Sequence, residues 1–155
     1  MITIRPAAVH DRQSLFSLVA GIKNFNPEEV ELAREVIGDA LASEKNGYHL
    51  LVAVDNGGQL FGFICYGPIP ISDRRWDLYW IAVEPGQARG GIGSRLLHDM
   101  ETRLGPGTRV YVDTSSTEGY TSARSFYERH GYQVAGRFPD FYRQGDDKIV
   151  YVKDL

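Results

Sequence analysis

Apolar residues recur along this chain with two periods, and the changes between them mark its elements. Leu15, Phe16, Leu18, Val19 and Ile22 fall at helical spacing after Asp11, which is placed to cap a helix. Pro27-Glu28-Glu29 reads as the first turn of a second helix running to Leu41, and a short strand, Ile2 to Arg5, precedes both and stops at Pro6. His49 to Val54 and Gln59 to Tyr66 flank Asp55-Asn-Gly-Gly58, whose residues tolerate positive φ, so the pair predicts an antiparallel hairpin. Trp76 to Val83 is a further strand, ended by Pro85. Ile92, Leu96, Leu97, Met100 and Leu104 then form one helical stripe that stops at Gly105-Pro-Gly107. Thr108 to Thr114 predicts a strand, Tyr120 to His130 a helix stopped by Gly131, and Tyr132 to Phe138 and Lys148 to Val152 the closing strands. The expected order is β-α-α-β-β-β-α-β-α-β-β, a single mixed α/β (α+β) domain over residues 1–155 without repeat or linker.

The most informative join is Ile81-Ala-Val-Glu-Pro-Gly-Gln-Ala-Arg-Gly-Gly-Ile-Gly-Ser94, where a β-branched strand passes through a glycine-rich turn into the amphipathic helix. Backbone N–H groups and the positive end of a helix dipole suit an anion there, and glycines at 90, 91 and 93 let it approach without a Cβ in the way. Two other readings stand beside this one: a tight turn with no ligand, and the phosphate turn of a dinucleotide-binding fold. The latter usually follows an early strand of a parallel unit, whereas this turn follows the fourth strand and a hairpin.

Composition narrows the classes of partner. The 155 residues are 43% hydrophobic and 24% charged with a net charge of −3, ordinary for a globular domain and the wrong balance for a nucleic-acid binder. Met1-Ile-Thr-Ile-Arg-Pro6 lacks the signal-peptide pattern, and no apolar run approaches the roughly 20 residues of a membrane helix. Cys65, the one cysteine, sits in an apolar run and reads as a buried, inert thiol, which makes a reducing, cytoplasmic setting the default. His10, His49, His98 and His130 show no ligand spacing, so no metal is expected, and His98 and His130 read as exposed helix residues.

The element order, the glycine turn after the fourth strand and the segment Ala123-Arg-Ser-Phe-Tyr-Glu-Arg-His-Gly-Tyr132 after the fifth resemble the GNAT superfamily of acyl-CoA N-acyltransferases over essentially the whole chain. The match is most specific from Leu78 to Leu97 and from Ala123 to Tyr132, and Phe138-Pro-Asp-Phe-Tyr-Arg-Gln-Gly-Asp-Asp-Lys148 is similar to one bacterial branch of small GNAT enzymes. The resemblance implies the GNAT fold, a mostly antiparallel sheet with splayed fourth and fifth strands, and acetyl-CoA as cosubstrate. It implies a pyrophosphate loop of Ala88, Arg89, Gly90, Gly91, Ile92, Gly93 and Ser94. The family pattern Gln/Arg-x-x-Gly-x-Gly/Ala puts Ala88 where Gln or Arg is expected; Gln87 and Arg89 flank it, and Arg89 can supply the charge. Ile81, Ala82 and Val83 would pair with the pantetheine amides like an added strand, the Val83 N–H facing the thioester oxygen. Asp77, fourteen residues before Gly91, stands where the family often has an acidic base, with Glu84 the weaker candidate. Tyr127 occupies the acid position, shares a helix face with Ala123, and has a phenol suited to protonating a thiolate. Tyr120 stands where many members have Asn. Alternation along the fourth strand is expected to set Asp77 and Tyr79 opposite Trp76, Leu78 and Trp80.

The expectation is therefore a cytoplasmic N-acetyltransferase that passes the acetyl group of acetyl-CoA directly to a primary amine of a small molecule or peptide. The acceptor site is expected around Phe25 to Glu29, Ser72 to Asp77 and a loop near Phe141 and Tyr142, with Asp77, Asp140 and Glu28 favouring a cationic acceptor. Neither nucleic acid nor a membrane is an expected partner, and a homodimer is left open. Two alternatives stand: a CoA-binding regulatory or interaction domain without turnover, against which Tyr127 and Asp77 speak, and a dinucleotide-dependent oxidoreductase. The latter needs a parallel sheet and an acidic ribose contact that Asp99 is poorly placed to make.

Overall fold

The computed structural model describes residues 1–87 and 90–155. These form one seven-stranded sheet from β1 (Thr3–Pro6), β2 (His49–Val54), β3 (Leu60–Pro68), β4 (Arg75–Val83), β5 (Arg109–Ser115), β6 (Gln133–Arg143) and β7 (Asp146–Asp154), in the order β1-β2-β3-β4-β5-β7-β6. Neighbours are antiparallel except β4 and β5. A parallel pair needs a crossover, and α3 (Ile92–Leu104) supplies it. The other helices are α1 (Arg12–Ala20), α2 (Pro27–Ala42) and α4 (Thr121–Arg129).

Helices cover both faces of the central strands, which is why β2 and β3 are apolar at nearly every position. Leu51, Ala53 and Ile64 share a cluster with Ile92, Leu96, Leu97 and Met100 of α3. The alternate residues Leu50, Val52, Val54, Phe63 and Cys65 pack with Leu15, Leu18 and Val19 of α1 and Ala33, Val36 and Ile37 of α2. Each such Leu or Ile stabilises by about 1.5–3 kcal/mol when fully buried. Burial also pushes the Cys65 thiol up to about 12, as suits an inert side chain.

Local chemistry sets the boundaries. The Asn26 side chain accepts the Glu29 N–H at 2.8 Å and Pro27 opens α2. At the hairpin, Asp55 Oδ1 accepts the N–H groups of Gly57 and Gln59, and Gly58 takes φ +85°. Asp11 does not cap α1. Its carboxylate instead holds the Arg5 guanidinium at 2.8 and 3.0 Å and the Ala8 N–H at 2.7 Å, closing a tight turn over Val9–Asp11. Only 4% exposed, this charge is opposed by burial, but Arg5 and the Ala8 N–H outweigh that and hold it below the usual carboxylate range.

The closing strands are longer than their apolar stretches predict. Phe138 pairs with Lys148 and Arg143 with Asp146, so Pro139 to Tyr142 bulge against the single residue Asp147. Phe141 and Tyr142 therefore lie in β6 rather than in a loop. Asp140 bends the strand at φ +54°, with its N–H bound to the Asp147 carboxylate at 2.8 Å.

Candidate active site

The two edges of β4 are unequally paired. Against β3 the register runs from Trp76 opposite Pro68 to Val83 opposite Gly62, whereas against β5 it runs only from Arg75 with Arg109 to Leu78 with Val112. Beyond that point the two strands diverge. The Glu84 N–H donates to the Phe61 carbonyl at 2.7 Å, so by alternation Glu84 and Ala82 direct their backbone groups to β3. Ile81 and Val83 then present N–H and C=O to the open gap. Of the three residues expected to offer backbone there, Ala82 does not: its carbonyl faces β3, where a Cβ on Gly62 would come within 2.8 Å of it.

The gap opens toward the start of α3. Gly91 takes φ +73° at the helix entrance, and the first intrahelical bond runs from the Arg95 N–H to the Gly91 carbonyl, so the N–H groups of Ile92, Gly93 and Ser94 have no acceptor within the helix. No acidic residue stands in that first turn. Among the described residues nothing lies within 4 Å of where a Gly91 Cβ would sit. Gly93 serves packing instead, since its Cβ would meet the Phe126 ring at 3.3 Å. Gly90 closes the preceding turn, its N–H bound to the Gln87 carbonyl at 3.1 Å. Ala88 and Arg89, the side chains at issue in the loop, lie outside the described residues. N–H groups without an acceptor in the helix, a helix dipole and the unpaired strand edge together fit a long ligand with an anionic end.

Ser94 is joined to a residue the helical pattern left as exposed: its Oγ lies 2.9 Å from His130 Nε2. His130 is partly buried, its ring edge-on to Phe126 at 4.4 Å, and burial holds its proton affinity below the usual imidazole value.

Tyr127 is 6% exposed, with its ring centroid 5.9 Å from those of Tyr132 and Tyr151. Those neighbours donate their hydroxyls to Glu101 and Glu128 at 2.9 Å. Tyr127 differs, because burial alone pushes its phenol well above the ordinary range. Among the described residues its hydroxyl has no hydrogen-bond partner of the kind its two neighbours have.

Asp77 is half-buried, opposite Gly67 on β3 and Tyr111 on β5. Burial and then the Asp113 carboxylate push its proton affinity up, and Lys148 opposes them. The Lys148 ammonium is 3.2 Å from Asp113 Oδ2 and 4.5 Å from the centre of the Phe141 ring. Strand alternation fails just beyond Asp77. Cys65 pairs with Trp80 but Tyr66 with Leu78, making Tyr79 the extra residue of a bulge. Tyr79 and Trp80 thus both pack toward the α1–α2 layer, with Trp80 edge-on to Phe25 at 6.5 Å. Glu84 lies past the end of β4.

One hydrogen bond links an element expected around the acceptor to the start of α4. Asn24 donates to the Gly119 carbonyl at 2.7 Å, tying the α1–α2 connection to the turn before α4. Tyr142 is pushed up to about 12, first by burial and then by the charges of Asp113 and Asp146, with Tyr120 and Glu29 adding to them. Burial also raises Tyr120, with Glu29 next among the causes. Asp113, Asp146 and Glu29 are the acids that act on Tyr142, and the Asp140 carboxylate accepts the Gly145 N–H at 2.8 Å. Asp113, Lys148 and His130 escaped the sequence because each acts through a partner distant along the chain.

Residues 46–134 match the family model described as acetyltransferase (GNAT) domain. A crystal structure from Desulfovibrio desulfuricans, assigned to the GNAT family as an acetyltransferase, matches with a TM-score of 0.92 and 34% identity over 99% of both chains. The ribosomal-protein-S18-alanine N-acetyltransferase from Escherichia coli matches at TM-score 0.78 and 20% identity, covering 100% of this chain and 94% of that one. The PaiA N-acetyltransferase from Thermoplasma acidophilum, in complex with coenzyme A, matches at TM-score 0.73 and 19% identity over 100% and 99%. These last two likenesses are of fold alone. No curated protein matches the sequence significantly.

Proposed function

Because the chain belongs to the GNAT family of acetyltransferases, we propose that residues 1–155 act as one N-acetyltransferase domain that passes the acetyl group of acetyl-CoA directly to a primary amine of a small molecule or peptide. The observation that carries this reading is the half-paired edge of β4 beside the first-turn N–H groups of α3, which have no acceptor within the helix. Bound acetyl-CoA supplies an activated thioester carbonyl. Ile81 and Val83 pair along the pantetheine arm, and Ile92, Gly93 and Ser94 receive the pyrophosphate with the help of the helix dipole. The Val83 N–H, already fixed in direction, donates to the carbonyl oxygen as negative charge develops there. Attack requires a neutral amine, although a free alkylamine has a pKa near 10.4. Asp77 takes that proton, directly or through water, helped by surroundings that raise its basicity. Tyr127, kept protonated by burial, gives its proton to the departing sulfur.

Glu29, Asp77 and Asp113 favour an acceptor with positive charge beyond the reacting nitrogen. A reducing cytoplasmic setting suits the free Cys65 thiol, and no described helix is long and apolar enough to cross a membrane.

Thermal unfolding with added nucleotides tests the cofactor, because a ligand that binds only the folded state raises Tm by mass action. Acetyl-CoA is expected to raise it and NAD to leave it unchanged; equal effects overturn the assignment. A screen of amines for acetyl-CoA-dependent thiol release then tests turnover. Stabilisation without release from any amine would favour the silent CoA-binding domain.

A further inference from the structure

Ser94 and His130 are 36 positions apart in sequence, yet they meet at the end of α3 where an anion would bind. Ser94 is the third residue of that helix, and its N–H is among those with no acceptor in the helix. His130 caps α4, its own N–H shared between the carbonyls of Phe126 and Tyr127. Its ring rests against Phe126, whose ring edge also lies against Gly93. Two consecutive residues of α3, Gly93 and Ser94, are therefore locked onto two residues of α4 one turn apart. The imidazole is held in place against the phosphate end of the site.

We infer that His130 is a positioning residue for the CoA pyrophosphate: it sets the direction of the Ser94 hydroxyl and brings a proton-dependent positive charge to the start of α3. This rests on the CoA reading given above. A neutral imidazole can accept from Ser94, which turns the hydroxyl hydrogen inward, or donate from Nε2, which frees that hydrogen to face an anion. A protonated imidazole can only donate. An anion at the helix end therefore favours the donating states, and most of all the protonated one, which adds a full charge.

The groups facing His130 among the described residues are Glu101 of α3, Lys153 of β7 and Arg129 of α4. Burial is the largest influence and disfavours the imidazolium; Glu101 favours it, and Lys153 and Arg129 oppose it. Glu101 is already engaged by the Lys153 ammonium at 3.1 Å and the Tyr132 hydroxyl at 2.9 Å, so it stabilises the imidazolium weakly. In the free protein burial favours the neutral imidazole, and a bound pyrophosphate raises its proton affinity. The linkage sign follows. A proton is taken up on binding; affinity is highest below the free-state pKa, falls as pH rises through the bound-state pKa, and is level above it.

Dephospho-CoA is the suitable probe, because it lacks the 3′-phosphate, a group that itself titrates near pH 6. Wild-type affinity is expected to tighten about three- to tenfold between about pH 8 and pH 5.5, the upper end matching a one-unit rise in the His130 pKa. His130→Asn retains a hydrogen-bonding partner for Ser94 without a titrating group. Its profile should be flat across the same range. Ser94→Ala should lose part of the pH dependence. The imidazole resonances of wild-type His130, followed by NMR, should titrate at higher pH once dephospho-CoA is added, a readout that does not depend on any variant folding. Parallel profiles for wild type and His130→Asn, or an unmoved imidazole titration with ligand bound, overturn the inference and leave the CoA reading intact. Absence of binding at every pH overturns both.

Discussion

The two edges of β4 show how one strand serves two ends. Toward β3 it is paired along its length, and the helices on either side bury Ala53, Ile64, Phe63 and Cys65. Toward β5 the pairing stops after Leu78 and Val112, leaving Ile81 and Val83 with backbone groups that no neighbouring strand takes. A half-open parallel pair gives up ladder hydrogen bonds worth about 0.5–1.5 kcal/mol net each. The fold sustains that loss because the closed edge and its two helical layers hold β4 in position. Damage on the closed side should lower stability, and damage on the open side should lower turnover.

The largest expected effect tests the closed side. Leu96 is fully buried between α3 and the sheet, so Leu96→Ala removes transfer energy and leaves a cavity, lowering unfolding stability by about 2–5 kcal/mol. Urea unfolding measures this. Acetyl-CoA affinity per folded molecule should stay near wild type, and a large loss of affinity in the folded fraction would mean that the two sides are not separable.

Tyr127→Phe makes the complementary test, with an expected fall in kcat of about 10²-fold, roughly 2.7 kcal/mol on the barrier, and little change in Tm. The reason lies in the contrast with Tyr151, whose ring is equally buried but whose hydroxyl is bound to Glu128. Tyr151→Phe should instead lower stability by about 1 kcal/mol and leave kcat alone. If the two variants behave alike, Tyr127 is a core aromatic and nothing more.

What the sequence disclosed follows the same division. The apolar runs of β2 and β3, the Asp55–Gly58 turn and the α3 stripe are local patterns with local causes, and they were legible almost to the residue. The glycine turn and the Ala123–Tyr132 segment were legible as a family resemblance. Tyr79 and Trp80 defeated alternation because a bulge is decided by the partner strand, and β7 extends β6 past Phe138 in the same way. Asp11 was read as a cap because capping is the commonest use of such a residue, whereas Arg5, six positions back, claims it. The Ser94–His130 and Asp113–Lys148 contacts join elements that only the sheet order brings together.

Asp77→Asn should lower kcat/KM about tenfold near neutral pH for an acceptor amine of high pKa. The loss should shrink in alkaline buffer, where more of the amine is already neutral. The wild-type profile should fall on its acidic side as Asp77 becomes protonated, at a pH above the ordinary carboxylate range because burial and Asp113 raise its pKa. A variant whose rate is depressed by the same factor at every pH would make Asp77 an orienting residue rather than a base.

The smallest effect sharpens the comparison most, because it leaves both edges of β4 intact and alters only the field at the open one. Lys148 touches neither Asp77 nor the gap through a hydrogen bond; its ammonium neutralises Asp113 and rests over Phe141. Lys148→Met keeps an unbranched stem against Phe138 and Phe141 and removes the charge. Asp113 then acts on Asp77 without compensation, and the protonated form of Asp77 is favoured further. The acidic limb of the kcat/KM profile should therefore move to higher pH, by less than about one unit because the Asp113 carboxylate is partly exposed and its field is screened. Lys148→Arg, which keeps the charge, should leave the limb in place. An acidic limb that stays fixed in Lys148→Met, or moves to lower pH, would show that the titrating base is not the carboxylate between β3 and β5.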